Sequence, residues 1–105
     1  MSRITLKQCA YFQAVARRGG IAAVAETAGV SQPAIAQAIT KLEDMTGLIL
    51  FRRLHARGME LTPQGSAFLR YADQLLTYAE HMDRAVTDIA QHRQGTVRLG
   101  CFQSL

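Results

Sequence analysis

A chain of 105 residues with a formal net charge of +4 has room for one domain with a modest core plus an appendage. No apolar run approaches the roughly 20 residues that a bilayer span needs, and Met1 is followed by polar residues rather than by a secretory leader, so a cytoplasmic protein with no membrane partner is expected. The excess charge sits entirely before Pro63, where Arg3, Lys7, Arg17, Arg18, Lys41, Arg52, Arg53 and Arg57 face Glu26, Glu43, Asp44 and Glu60, a balance that favours an anionic partner, most simply nucleic acid.

Thr5 to Arg18 has the pattern of a first helix. Thr5 and Gln8 are spaced as a capping box, Leu6, Cys9, Phe12, Val15 and Ala16 share one face, and Gly19-Gly20 stops it. A short second helix follows from Ile21 to Ala28 and is closed by Gly29. Ala25 and Ala28 are small enough to let a neighbouring helix approach. The next helix begins almost at once. Ser31 can cap it, Pro33 falls in the first turn where a missing N–H is harmless, Val30 and Ile35 have the spacing of a hydrophobic staple, and Gly47 suits the left-handed residue that ends it. Ile35, Ile39 and Leu42 form its buried side. Gln32, Ala36, Gln37, Thr40 and Lys41 face elsewhere, and no carboxylate appears before Glu43. Two helices joined by so tight a turn read as a helix-turn-helix, whose later helix enters the major groove and hydrogen-bonds to base edges.

After Gly47 the period changes. Leu48 to Arg53 and Met59 to Leu61 are short segments separated by Leu54-His55-Ala56-Arg57-Gly58, a small hairpin in which Gly58 can take a positive φ. Arg52, Arg53 and Arg57 stand there without an acid among them, as a basic wing placed for phosphates or a minor groove. The competing reading is a solvated turn.

Thr62-Pro63 starts a long helix, capped by Thr62, that runs unbroken to about Gln94, about 45 Å at 1.5 Å per residue. Phe68, Ala72, Leu75, Ala79, Met82, Val86 and Ile89 recur at steps of four and three, which is coiled-coil spacing and calls for a partner helix. Leu69 and Leu76 widen the stripe at its beginning. That end is expected to pack on its own domain and the narrower end on another copy. Gly95 to Phe102 alternates like a strand without a partner strand, as the beginning of a further domain would. Cys9 and Cys101 are too far apart for a metal motif, and both read as reduced thiols.

Taken in order, Ser31-Gln32-Pro33-Ala34-Ile35, Ile39, Leu42-Glu43, Gly47, Leu50-Phe51-Arg52-Arg53 and Leu61-Thr62-Pro63-Gln64-Gly65 resemble the amino-terminal region of LysR-type transcriptional regulators. Tyr11-Phe12 with Val15-Ala16 is similar to the first helix of that family, and Val97-Arg98-Leu99-Gly100 to the strand that enters its effector-binding domain. The resemblance implies a mainly α protein: a winged helix-turn-helix over residues 1–62, a linker helix for dimerisation over 63–94, and the start of an absent effector-binding domain over 95–105. It implies double-stranded promoter DNA as partner, a homodimer through the linker helix, tetramers in the full-length protein, and a small-molecule effector only through the absent domain. Ser31, Gln32, Pro33, Ala36, Gln37, Thr40, Lys41, Arg52, Arg53 and Arg57 are the expected DNA-binding residues. Gln32 and Pro33 would meet base edges, Pro33 through a thymine methyl.

The chain departs from the family pattern at Gly20, Ala22 and Ala36, where a hydroxyl or cap is common, and at Gln37, where arginine is common. Glutamine can bond adenine in a bidentate way, whereas arginine favours guanine, so Gln37 is expected to shift base preference. A protein-docking module is the alternative from another class. An enzyme is not expected, and neither is a metal or other cofactor: His55, His81 and His92 lie far apart, and no phosphate loop or nucleophile motif is present.

Overall fold

The computed structural model describes residues 3–54 and 58–95. Its elements are α1 (Leu6–Arg18), α2 (Ile21–Ala28), α3 (Gln32–Thr46), β1 (Phe51–Leu54), β2 (Gly58–Leu61) and α4 (Pro63–Gly95). The molecule is elongated, 61 × 27 × 20 Å. Three short helices and the hairpin gather at one end of α4.

Local chemistry fixes the helix ends. The Thr5 hydroxyl accepts from the Gln8 N–H and the Gln8 side chain accepts from the Thr5 N–H, each at 3.0 Å, so the capping box is formed. Ser31 accepts from the Ala34 N–H at 3.2 Å, and Gly19, Gly29 and Gly47 close α1, α2 and α3 in the left-handed region. The core is built from Phe12, Val15, Val24, Ile35, Ile39, Leu42, Leu50 and Phe51. Phe12 lies at its centre, tilted against Phe51 at 5.3 Å and edge-on to Phe68 at 5.4 Å between ring centroids, a favoured aromatic geometry. Burial of Cys9 among these side chains pushes its thiol pKa up, consistent with the reduced thiol expected. Two residues assigned to apolar contacts lie outside: Leu6 is 49% exposed and Ala28 is exposed. Leu6 is the first residue of α1 and Ala28 the last of α2, positions at the helix ends rather than over the core.

The hairpin is antiparallel, with Phe51 opposite Leu61, Arg52 opposite Glu60, Arg53 opposite Met59 and Leu54 opposite Gly58. Its base is closed by Glu43, Thr62 and Gln64, of which only Thr62 had an expected role, as the cap of α4. Glu43 Oε2 accepts from the N–H groups of Leu50 at 2.8 Å and Phe51 at 3.4 Å. The Thr62 hydroxyl caps α4 by accepting from the Gly65 N–H at 2.9 Å and donates to the Ile49 carbonyl. Gln64 accepts from the Ile49 N–H at 3.0 Å. Gly65 passes so near the Leu50 carbonyl that an added Cβ would lie under 3.0 Å from it. The Leu61-Thr62-Pro63-Gln64-Gly65 element is thus the clamp that joins wing to linker helix.

The stripe along α4 divides. Phe68, Leu69, Ala72 and Leu76 pack against the core, as the widened beginning led one to expect. Phe68 and Ala72, counted among the dimerisation residues, are therefore committed within the chain, and Ala79 is half-buried. Leu75, Met82, Val86 and Ile89 remain 42–60% exposed, and Tyr71 and Tyr78, absent from the original seam, are exposed beside them. Tyr71, Leu75, Tyr78, Met82, Ala85 and Ile89 step by four and three, a heptad stripe rotated away from the one that faces α1. The strand expected over Gly95 to Phe102 starts at the residue that ends α4; the rest of it, and the wing residues His55 to Arg57, lie outside the described residues.

Candidate nucleic-acid interface

The exposed side of α3 is made by default. Once Ile35, Ile39 and Leu42 are buried, the 3.6-residue period turns Gln32, Pro33, Gln37, Thr40 and Lys41 to solvent, with Ala36 half-buried between them. Gln32, Pro33 and Ala36 form one wall of an open cleft. Gly20, Ile21 and Ala22 at the start of α2 lie beside them, and Arg53, Leu54, Gly58 and Met59 of the hairpin form the other wall. Gly20, Ala22, Ala36 and Gly58 are its small residues, and at those points another backbone can approach closely. Ser31 keeps its place at the mouth of α3, but its oxygen is engaged as the cap.

The two walls are held together by the backbone. The Met59 N–H donates to the Gly19 carbonyl at 3.0 Å, and Gly58, at φ +94, lies against the same oxygen. The hairpin is thereby docked on the turn between α1 and α2. Because α2 packs on α3, the separation of wing and helix is set by contacts among the first three helices.

The wing arginines are not equivalent. Side chains alternate across a strand, so Arg53 shares its face with Phe51 and Met59 while Arg52 shares the opposite face with Glu60. Arg52 Nη2 lies 3.1 Å from Glu60 Oε1, both side chains more than half exposed, whereas Arg53 lines the cleft. Lys41 and Arg53 have no ion pair among the described residues. Arg17, by contrast, is paired with Asp73 at 3.2 Å. The structure therefore brings Gln32, Pro33, Ala36 and Arg53 together, sets Gln37, Thr40 and Lys41 along the same exposed side of α3, and sends Arg52 elsewhere. The alternation was readable in the sequence once Phe51 is taken as buried.

Among the described residues no group of three His, Cys, Asp or Glu side chains is placed to hold a metal ion. No helix there is long and apolar enough to cross a membrane.

Residues 6–66 match the family model for the bacterial regulatory helix-turn-helix protein of the lysR family. The regulator BudR of Klebsiella aerogenes is 37% identical over 99 residues, covering 94% of this chain and 68% of BudR. The regulator TfdT of Cupriavidus pinatubonensis is 38% identical over 97 residues, covering 92% of this chain but 42% of TfdT. In the crystal structure of a complex between the CbnR DNA-binding domain and DNA, the matching protein has a TM-score of 0.76 and 40% identity, over 82% of this chain and 98% of that one.

Proposed function

This chain belongs to the LysR family of bacterial regulatory helix-turn-helix proteins, and from that premise we propose that it grips promoter DNA as a dimer, with α3 in the major groove. The observation that carries the proposal is the cleft that the start of α3 shares with the wing, lined by Gln32, Pro33, Ala36 and Arg53. Amide side chains at the leading end of a recognition helix can read base edges, apolar ones can meet a thymine methyl, and a cation alongside can bind phosphates. Gln32 and Gln37 supply amides, Pro33 and Ala36 apolar contact, Thr40 and Lys41 polar contacts further along. Arg53 serves the backbone or minor groove, and Arg57 is assigned the same role from its place in the sequence motif alone. The relatives and structural neighbours are transcriptional regulators, so the function is recognition and not catalysis.

A second copy would cover the exposed stripe of α4 at Leu75, Met82, Val86 and Ile89, with Tyr71 and Tyr78 at its edge. Pairing two recognition helices makes the second binding event intramolecular and multiplies affinity for a two-half-site operator. In the whole regulator, in the cytoplasm, a further domain would bind a small-molecule effector and dimers would pair into tetramers.

Selection from a random duplex pool, with wild type and Gln37→Arg at two salt concentrations, tests the reading. Wild type should enrich a two-half-site sequence, retention should fall steeply with salt as counterions are displaced, and Gln37→Arg should exchange a preferred adenine for guanine. Identical sites from both proteins would remove Gln37 from base readout. Retention independent of salt would remove DNA as the partner.

A further inference from the structure

Asp73 lies on the side of α4 turned towards α1, one residue after the buried Ala72. Its Oδ1 accepts from Gln13 Nε2 at 2.6 Å and from Arg17 Nη2 at 3.2 Å. The donors are one helical turn apart on α1, and the acceptor is 60 and 56 residues away in sequence. Just beyond this clasp Leu76 makes the last apolar contact with the core among the described residues, and from there α4 continues to Gly95 with none of them packed against it.

Apolar packing alone holds the two helices together weakly in direction. The contact of Phe68, Leu69, Ala72 and Leu76 with α1 and the core stabilises burial, but the hydrophobic effect is not directional, and such a contact tolerates rolling. A forked pair of hydrogen bonds onto one oxygen does not, because each weakens as its angle opens. The lever is long: 22 residues from Asp73 to Gly95 at 1.5 Å each are about 33 Å, so a tilt of about 10° displaces the far end by about 6 Å. A base pair advances the duplex by about 3.4 Å. A small error at the clasp therefore becomes an error of more than one base pair.

We infer that Asp73, through Gln13 and Arg17, is a positioning residue that fixes the angle between the DNA-binding body and the α4 rod. The consequence for DNA, a sharp preference for one half-site separation, rests on the dimeric DNA-binding reading above; the angle itself does not. Asp73 is more than a third exposed and touches no part of the proposed DNA surface.

Spin labels at Glu26→Cys on α2 and Gln91→Cys on α4, with Cys101→Ser and labelled chains diluted into unlabelled ones, report the angle as a distance distribution within one chain. Wild type should give one narrow distribution and Asp73→Ala a broadened one, while Asp73→Asn, whose amide oxygen still accepts both donors, should stay narrow. Equal widths for wild type and Asp73→Ala would overturn the inference. On duplexes whose half-site separation is varied one base pair at a time, Asp73→Ala should lose the preference for the optimum while keeping its affinity for a single half-site. A retained preference would likewise count against Asp73. If wild type has no preferred separation, the dimeric reading fails while the label distances still decide the role of the clasp.

Discussion

Gly58 crosses the carbonyl oxygen of Gly19 with no space for a side chain, since a Cβ there would fall under 3.0 Å from that oxygen. The obstacle is backbone, so it cannot swing aside as a flexible side chain would. Gly58 also sits at φ +94, where other residues are strained. This one approach docks the wing beside α3. Replacing Gly58 by Ala should cost about 2 kcal/mol and loosen the wing. Urea denaturation would read the first effect and faster amide exchange at Met59 the second; an unchanged midpoint would show that the hairpin docks by other contacts.

Glu43 is expected to matter to the fold more than to the charge balance. Its carboxylate accepts from Leu50 and Phe51, and Leu50 is fully buried, so water cannot replace the lost acceptor. Glu43→Ala should destabilise by about 2 kcal/mol, and Glu43→Gln, which keeps an oxygen, by less. Equal losses from both would assign the effect to charge instead.

On the wing, the ion pair of Arg52 with Glu60 competes with any phosphate for the arginine. Arg52 faces away from the cleft while Glu60 holds it; released in Glu60→Gln, it should turn to a phosphate, tighten DNA binding and steepen the dependence of log affinity on log salt by about one phosphate contact, a slope change of about 0.9. Arg53→Gln should weaken binding and flatten the same slope. A titration in which Glu60→Gln changes nothing would mean that Arg52 points away from DNA in the complex as well.

Association should separate from folding along α4. Met82→Glu with Val86→Glu puts charges into the exposed stripe and should yield monomers with a nearly unchanged melting temperature, whereas Phe68→Ala should cost about 3 kcal/mol or more of stability because Phe68 packs on Phe12. Sedimentation of the double variant as an intact dimer would rule out the stripe as the contact.

Cys9 gives a pH signature. Desolvation raises its pKa in the folded state, so folding stability is constant below the ordinary thiol pKa of about 8.5 and falls as the pH climbs from there towards the raised folded value, where the unfolded chain alone gains from ionising. Cys9→Ala should abolish that fall. Thiol-reagent labelling at Cys9 should be slow in the native chain and rapid in urea.

The helix ends and the buried face of α3 followed from the sequence because each depends on groups three or four residues apart: Thr5 with Gln8, Ser31 with Ala34, Ile35 with Ile39 and Leu42; the wing followed from the change of period after Gly47 and the glycine at position 58. Tertiary structure decided which arginine joins the cleft, what Glu43 and Gln64 hold, and how α4 divides its apolar stripe between its own core and a free side. Those outcomes rest on chain crossings far apart in sequence, such as Gly19 under Gly58 and Gln13 against Asp73. Periodicity places a residue on a face of its own helix or strand; only the packed arrangement of elements says what lies opposite.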